Sequence, residues 1–150
     1  MKLTEHFSLE EFTRTSYKDH LKGNQEYGDK FHKRLRITAC TLEELRSVLD
    51  VSITITSGIR SPELNKAVGG SRTSTHMDAL SADITFKGMT IKEGFDIIVE
   101  RQDECPSLRK VIYENINSRE WLHVQSKELM QEPKEFYATV DGKKYNRVKG

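Results

Sequence analysis

The sequence predicts an α+β fold, in which a small and mainly antiparallel sheet carries helices packed on one side. Residues 30–49 have the apolar spacing of a long amphipathic helix. Residues 51–56 and 82–86 are short, β-branched and alternating, as in strands with one buried face. A chain of 150 residues is long enough for one domain with a full core, and we expect residues 1–150 to form a single domain.

The first third of the chain is predicted to be helical on either side of a loop. Ser8 and Glu11 have the spacing of a capping box that opens a first helix. The polar residues 16–29, which include two glycines, indicate a loop. The helix over residues 30–49 follows. Its apolar stripe comprises Phe31, Leu35, Leu42, Leu45 and Leu49, widened by Cys40 and Val48.

The middle of the chain alternates strands with capped helices. After the strand at 51–56, Ser61 and Pro62 predict an N-cap with proline at the first helical position. That short helix is expected to end at Gly69–Gly70. The strand at 82–86 is followed by Thr90, which can cap a helix reaching about Arg101.

The last third is predicted to be β-structure. Residues 111–113 and 121–125 indicate two further strands. A C-terminal hairpin is expected over about 135–148, because Asp141–Gly142 is the dipeptide of a type I′ turn.

Composition excludes several functional classes. The chain has 24 basic and 23 acidic residues, evenly spread, which gives no electrostatic support for nucleic-acid binding. Cys40 and Cys105 lack CxxC spacing, so we expect two reduced thiols. No signal-peptide core or membrane-spanning run is present, so cytoplasmic synthesis without membrane association is expected.

Three side chains form a candidate metal site: His76, Asp83 and His123. Alternation places Asp83 on the strand face opposite the core, and likewise places His123 opposite Leu122 and Val124. Two imidazoles and one carboxylate leave a fourth position open, which is the coordination of a catalytic zinc site. Because most histidines are surface or satisfied core groups, the residues alone leave metal binding open.

The run from Thr56 to Phe86, T-S-G-I-R-S-P-E-L-N-K-A-V-G-G-S-R-T-S-T-H-M-D-A-L-S-A-D-I-T-F, resembles the zinc D-Ala-D-Ala carboxypeptidase family. That family includes phage endolysins and murein endopeptidases, and is related to lysostaphin-type peptidases and the hedgehog domain. Its pattern S-x-H-x-x-G-x-A-x-D is followed downstream by an acidic residue, two others and histidine. The N-terminal E-H-F-S-L-E-E-F is similar to phage-type members, and the resemblance spans residues 3–126.

The resemblance implies a residue-by-residue site. His76, Asp83 and His123 would hold Zn²⁺, and Ser74 would lie near metal or substrate. Glu120, three residues before His123, is the favoured general base. Since positions 120 and 123 face opposite sides of an ideal strand, this role requires a loop or a bulge at Glu120.

Two further residues complete the implied site. Glu114 is the alternative base, because some phage-type members have an acidic residue there. Arg60 would bind a substrate carboxylate or polarise the scissile carbonyl. Alanine and serine replace the family's glycine and alanine at Ala79 and Ser81, and alanine tolerates positive φ poorly.

The implied function is a peptidoglycan peptidase, carboxypeptidase or endopeptidase, that cuts a stem-peptide bond next to a D-amino acid. A phage or prophage origin is expected, with a monomer acting on the cell wall after release or as a virion component. The alternative is a zinc-containing binding or structural module that has lost hydrolysis, which Ala79 and Ser81 support and the retained Glu120 opposes.

Overall fold

Six strands and five α-helices make up the computed structural model, which describes residues 1–128, 132–139 and 145–148. The helices are α1 (Leu9–Thr13), α2 (Leu21–Gly28), α3 (His32–Leu49), α4 (Pro62–Ala67) and α5 (Ile91–Glu100). The strands are β1 (Ile53–Ser57), β2 (Ser81–Phe86), β3 (Leu108–Ile116), β4 (Arg119–Ser126), β5 (Glu135–Thr139) and β6 (Tyr145–Val148). Short 3₁₀ turns lie at Lys18–His20 and Gln102–Glu104.

The strands form one sheet in the order β1-β2-β4-β3-β5-β6. Neighbouring strands are antiparallel except β3 and β5, which are parallel. The predicted α+β class with a mainly antiparallel sheet is therefore confirmed. Strands β5 and β6 pair as the C-terminal hairpin requires, but the turn expected at Asp141–Gly142 lies outside the described residues.

The two faces of the sheet have different roles. Ala82 and Ile84 of β2 and Leu122 and Val124 of β4 are buried in a core cluster that also contains apolar residues of α3 and α5. Each of these four residues alternates with a neighbour on the opposite face. That second face is free to carry polar side chains, among them Asp83 and His123.

The three predicted helix N-caps are confirmed. Ser8 and Glu11 form the complete capping box of α1. Ser61 accepts a hydrogen bond from the backbone N–H of Leu64, with Pro62 at the start of α4. Thr90 caps α5 through the N–H of Glu93. No helix in the described ranges has the length and apolar character needed to cross a membrane.

Two predictions in the first third of the chain are wrong. Residues 16–29 are not a loop, because they contain a 3₁₀ turn and α2. Asn24 anchors α2: its amide donates to the carbonyls of Thr13 (2.8 Å) and Ile59 (3.0 Å) and accepts from the N–H of Ser61 (2.8 Å). Cys40 is exposed rather than part of the apolar stripe of α3.

Candidate metal centre

Strand pairing brings two of the three predicted ligands together. Asp83 of β2 lies directly opposite His123 of β4 in an antiparallel register. Residues that are paired in this way project from the same face of the sheet. His123 Nδ1 is 3.1 Å from Asp83 Oδ1.

The third ligand comes from the loop between α4 and β2. His76 is buried, and its Nδ1 lies 2.7 Å from the carbonyl oxygen of Gly58. Its other nitrogen, Nε2, is 3.3 Å from Asp83 Oδ1. The loop is tied to the end of β1 by the N–H of Arg60, which donates to the carbonyl of His76 (3.0 Å). Oδ1 of Asp83 thus contacts both imidazole rings.

The hydrogen bond to Gly58 makes a cation the natural occupant of this cluster. Because a carbonyl oxygen only accepts, Nδ1 of His76 carries the hydrogen, and Nε2 is the ring nitrogen that faces the carboxylate of Asp83. Nε2 and Oδ1 lie 3.3 Å apart, so a cation that displaces the proton from Nε2 would be bound by both atoms.

Zinc fits the donor set and its spacing. Tetrahedral ligands at 2.0–2.1 Å from Zn²⁺ lie about 3.3 Å from one another. The ligand atoms of His76, Asp83 and His123 all fall within 4.8 Å of one another, and the two imidazole contacts to Asp83 are 3.1 and 3.3 Å long. A backbone carbonyl bonded to the second ring nitrogen is also the usual arrangement for a metal-binding histidine.

Electrostatics keep Asp83 ionised. Burial alone would raise the pKa of its carboxyl group, but the imidazoles of His76 and His123 outweigh burial and hold that pKa well below its usual range. The second oxygen, Oδ2, faces Nη2 of Arg60 at 3.4 Å. Asp83 is therefore available as an anionic ligand through Oδ1.

Arg60 is fixed by three acceptors. Besides Asp83, its Nε donates to the hydroxyl of Ser57 (3.1 Å) and its Nη1 to the side-chain oxygen of Asn65 (3.3 Å). Burial lowers the pKa of Arg60, and the negative charge of Asp83 opposes that effect. Arg60 thus lies at the edge of the cleft, in contact with the carboxylate of a candidate ligand.

The two candidate bases occupy opposite positions in the alternation of β3 and β4. Glu114 of β3 is paired with Trp121 and is buried on the face that carries His123. Glu120 borders a neighbouring groove, but its carboxylate accepts a hydrogen bond from the hydroxyl of Tyr113. The ring of Tyr113 packs 5.8 Å from Phe95 of α5, on the core side.

The condition for Glu120 to act as the base is not met. The pairing of β3 with β4 is unbroken from Lys110 to Ile116, so no bulge turns Glu120 toward the metal ligands. Burial, reinforced by the carboxylate of Glu120, raises the pKa of Tyr113 to about 12. This geometry favours Glu114 over Glu120, which is the reverse of the order expected from the resemblance.

The remaining predicted residues stabilise the loop that carries His76. The hydroxyl of Ser74 accepts a hydrogen bond from the N–H of His76 (3.2 Å). Ala79 adopts φ +64°, the left-handed conformation that favours glycine, and its carbonyl accepts from the hydroxyl of Thr38 (2.8 Å). The buried hydroxyl of Ser81 is paired with that of Thr75. Both departures from the family pattern are thus accommodated.

The three candidate ligands, together with Arg60 and Glu114, line an open cleft of about 630 Å³. Its walls are the loop from Val68 to His76 and the polar face of β3 and β4. Sequence reasoning missed Lys110, which lines the cleft and whose even spacing from Glu114 on one strand could have revealed it. It also missed Gly58, which acts through its carbonyl and leaves no signal in its side chain.

Three convergent ligand atoms beside a buried glutamate in an open cleft define the site of a metal-dependent hydrolase. A sequence model described as Peptidase M15 matches residues 5–125, so the chain belongs to the peptidase M15 family. Peptidases of this family are zinc-dependent and act on peptidoglycan-type substrates. A search of curated proteins finds no match.

Proposed function

We propose that the chain is a zinc-dependent peptidoglycan peptidase that hydrolyses a stem-peptide bond next to a D-amino acid. The observation that carries this proposal is the convergence of His76 Nε2, Asp83 Oδ1 and His123 Nδ1 in a cleft that also contains Glu114. Membership of the peptidase M15 family supports the substrate class. The similarity of the N-terminal residues to phage-type members favours a phage or prophage origin.

Each ligand has a defined role in this mechanism. His76, Asp83 and His123 would hold Zn²⁺, which when bound supplies a Lewis acid and lowers the pKa of water toward about 7. The carbonyl of Gly58 keeps His76 in the tautomer that presents Nε2. Arg60 positions Asp83 by holding Oδ2, and its remaining N–H groups are available to polarise the scissile carbonyl.

Glu114 is the proposed general base. Its carboxylate would accept a proton from the attacking water and return it to the leaving amine. Glu114 is preferred because it is buried on the neighbouring strand, on the same face of the sheet as His123. The carboxylate of Glu120 instead accepts a hydrogen bond from the hydroxyl of Tyr113. Proton transfer of this kind contributes about 10²–10⁴-fold to the rate.

The matched pair Glu114→Gln and Glu120→Gln tests the assignment. Zinc content is measured on both variants and on wild type, and turnover is measured on purified murein. We expect Glu114→Gln to lose about 10²-fold or more in kcat while binding one zinc, and Glu120→Gln to stay within a few-fold of wild type. Full activity in Glu114→Gln would contradict the role of Glu114.

The alternative function, a zinc-containing module without hydrolysis, makes a different prediction for wild type. A protein that binds one zinc and releases nothing from murein would support the module and refute the peptidase. Ala79 and Ser81 favoured this alternative. Ala79 adopts a left-handed turn and Ser81 pairs with the hydroxyl of Thr75, and the three proposed ligand atoms nevertheless lie within 4.8 Å of one another.

A further inference from the structure

The turn at residues 77–79, directly after His76, is bonded to the helices. Each of its three backbone carbonyls accepts a hydrogen bond from a side chain of α2 or α3. The pairs are Tyr27 Oη with Met77 O (2.7 Å), Arg34 Nη1 with Asp78 O (3.3 Å) and Thr38 Oγ1 with Ala79 O (2.8 Å). Across the ranges that the structure describes, no backbone N–H donates to these carbonyls. Three helical side chains therefore supply the protein partners of three consecutive carbonyls beside a candidate ligand.

The three donors are themselves held in place by other contacts. Thr38 is fully buried on α3, about one turn after Arg34. The second terminal nitrogen of Arg34, Nη2, donates to Glu128 Oε1 at 2.8 Å. The ring of Tyr27 packs against that of Phe31, with the ring centres 4.9 Å apart. Each donor thus has surroundings that limit its movement independently of the 77–79 turn.

The 77–79 turn connects two candidate ligands. It follows His76 directly, and Asp83 lies four residues after its last residue, Ala79. Ala79 has φ +64°, which is disfavoured for a residue with a Cβ atom, so contacts from elsewhere in the fold must stabilise this conformation. On its other side, His76 is bonded to the carbonyl of Gly58 and to the N–H of Arg60. The position of His76 therefore depends on two attachments, one at residues 58–60 and one at the helices.

We propose that Tyr27, Arg34 and Thr38 are positioning residues of the metal centre, which fix the 77–79 turn and thereby the distance between His76 and Asp83. This inference rests on the zinc site of the proposed function. None of the three side chains lines the cleft, so they act through the backbone rather than on metal or substrate. Loss of a direct hydrogen-bond partner of a ligand costs about 10–100-fold in metal affinity. These donors act one step further from the metal, and we expect each to contribute about three- to tenfold.

Two buried threonines of α3 provide a matched test. Thr38 donates to the 77–79 turn, whereas the hydroxyl of Thr41 contacts the carbonyl of Ser107 (3.4 Å) and accepts from Ser126 (2.8 Å), away from that turn. Zinc affinity is measured by chelator competition, and stability of the metal-free protein by its urea midpoint. We expect Thr38→Val and Thr41→Val both to lower the midpoint, but only Thr38→Val to weaken zinc binding, by about three- to tenfold. Thr38→Ser, which keeps the hydroxyl, should restore the affinity. Equal zinc affinities in the two valine variants would overturn the proposal.

Tyr27→Phe tests the same inference without disturbing the core. Tyr27 is half-buried and its ring, with the packing against Phe31, is retained, so the variant should fold as wild type does. We expect zinc affinity to fall about threefold and the visible absorption of the Co²⁺-loaded protein to change, because it reports ligand geometry. Tyr17→Phe, at an exposed tyrosine, is the control and should change neither. If wild type binds no zinc, the proposed function fails. If it binds zinc and both Tyr27→Phe and Thr38→Val match it, this inference alone fails.

Discussion

Replacing Gly58 with alanine is expected to weaken zinc binding, although Gly58 offers no side chain to the metal. A Cβ at this position would lie 2.4 Å from the carbonyl oxygen of Phe12 and 2.7 Å from its Cα. Both atoms belong to the backbone, so no rotamer change relieves the contact. The neighbouring N–H of Ile59 donates to the same carbonyl at 2.9 Å, which holds the two segments together.

The size of the effect follows from the distances. Ordinary contact begins at 3.4 Å, so the backbone at residue 58 must shift by about 1 Å. The bond from His76 Nδ1 to the carbonyl of Gly58 is 2.7 Å long, and a shift of that size takes it beyond hydrogen-bond range. Loss of such a partner of a ligand costs about 10–100-fold in metal affinity, and forced contacts of this kind cost about 1–3 kcal/mol of stability.

Two measurements check this prediction. Zinc affinity is measured by competition with a chromophoric chelator, and stability of the metal-free protein by urea denaturation. Gly23→Ala is the control, because nothing lies within 4 Å of the added Cβ, and alanine at this helical position should raise stability by up to about 1 kcal/mol. If Gly58→Ala is destabilised but binds zinc as tightly as wild type, the proposed link through His76 is wrong.

Three further predictions concern the rest of the chain. Ala79→Gly should change the free energy of unfolding, measured by urea denaturation, by less than about 1 kcal/mol. Glycine relieves the left-handed conformation, and this gain offsets the loss of a buried methyl group and the greater freedom of the unfolded chain. A loss above about 2 kcal/mol would show that methyl packing dominates. Asn24→Ala should cost about 3 kcal/mol or more, since it leaves buried backbone groups of Thr13, Ile59 and Ser61 without partners, whereas exposed Gln25→Ala should stay within about 0.5 kcal/mol. At pH 8, Cys40 should react rapidly with a disulfide reagent and Cys105 only on unfolding, because burial raises the pKa of the Cys105 thiol to about 11; equal rates for both thiols would refute the buried position of Cys105.

The sequence predicts well those elements that are stabilised by contacts between residues close together in the chain. Ser8, Ser61 and Thr90 each cap a helix through the backbone N–H three positions later, so a short window of sequence contains both partners. Alternation in residues 82–86 likewise separated the core face from the face of Asp83. Helix α2 was missed because Asn24 is stabilised by Thr13, Ile59 and Ser61, contacts that no local window contains.

In the candidate site, too, some features were predictable from the sequence and others were not. Spacing and resemblance predicted the three proposed ligands, and the structure brings them together, although the distance from His76 to His123 along the chain is 47 residues. The carbonyl of Gly58 was not predicted, because any residue type supplies a carbonyl. Its glycine is required for a different reason, which is the close approach of Phe12.

The choice between Glu120 and Glu114 depends on strand geometry rather than on distance along the chain. Glu120 is close to His123 in sequence, but residues three apart on a regular strand project from opposite faces, and the pairing with β3 leaves no bulge to change this. Glu114 is nine residues from His123, yet it is the partner of Trp121, which shares a face with His123. Residues an even number of positions from a metal ligand on the same strand share its face of the sheet. The residues paired with those positions on the neighbouring strand share that face as well. By that rule Glu114 shares the cleft with the metal ligands, and Glu120 belongs to the side of Tyr113 and Phe95.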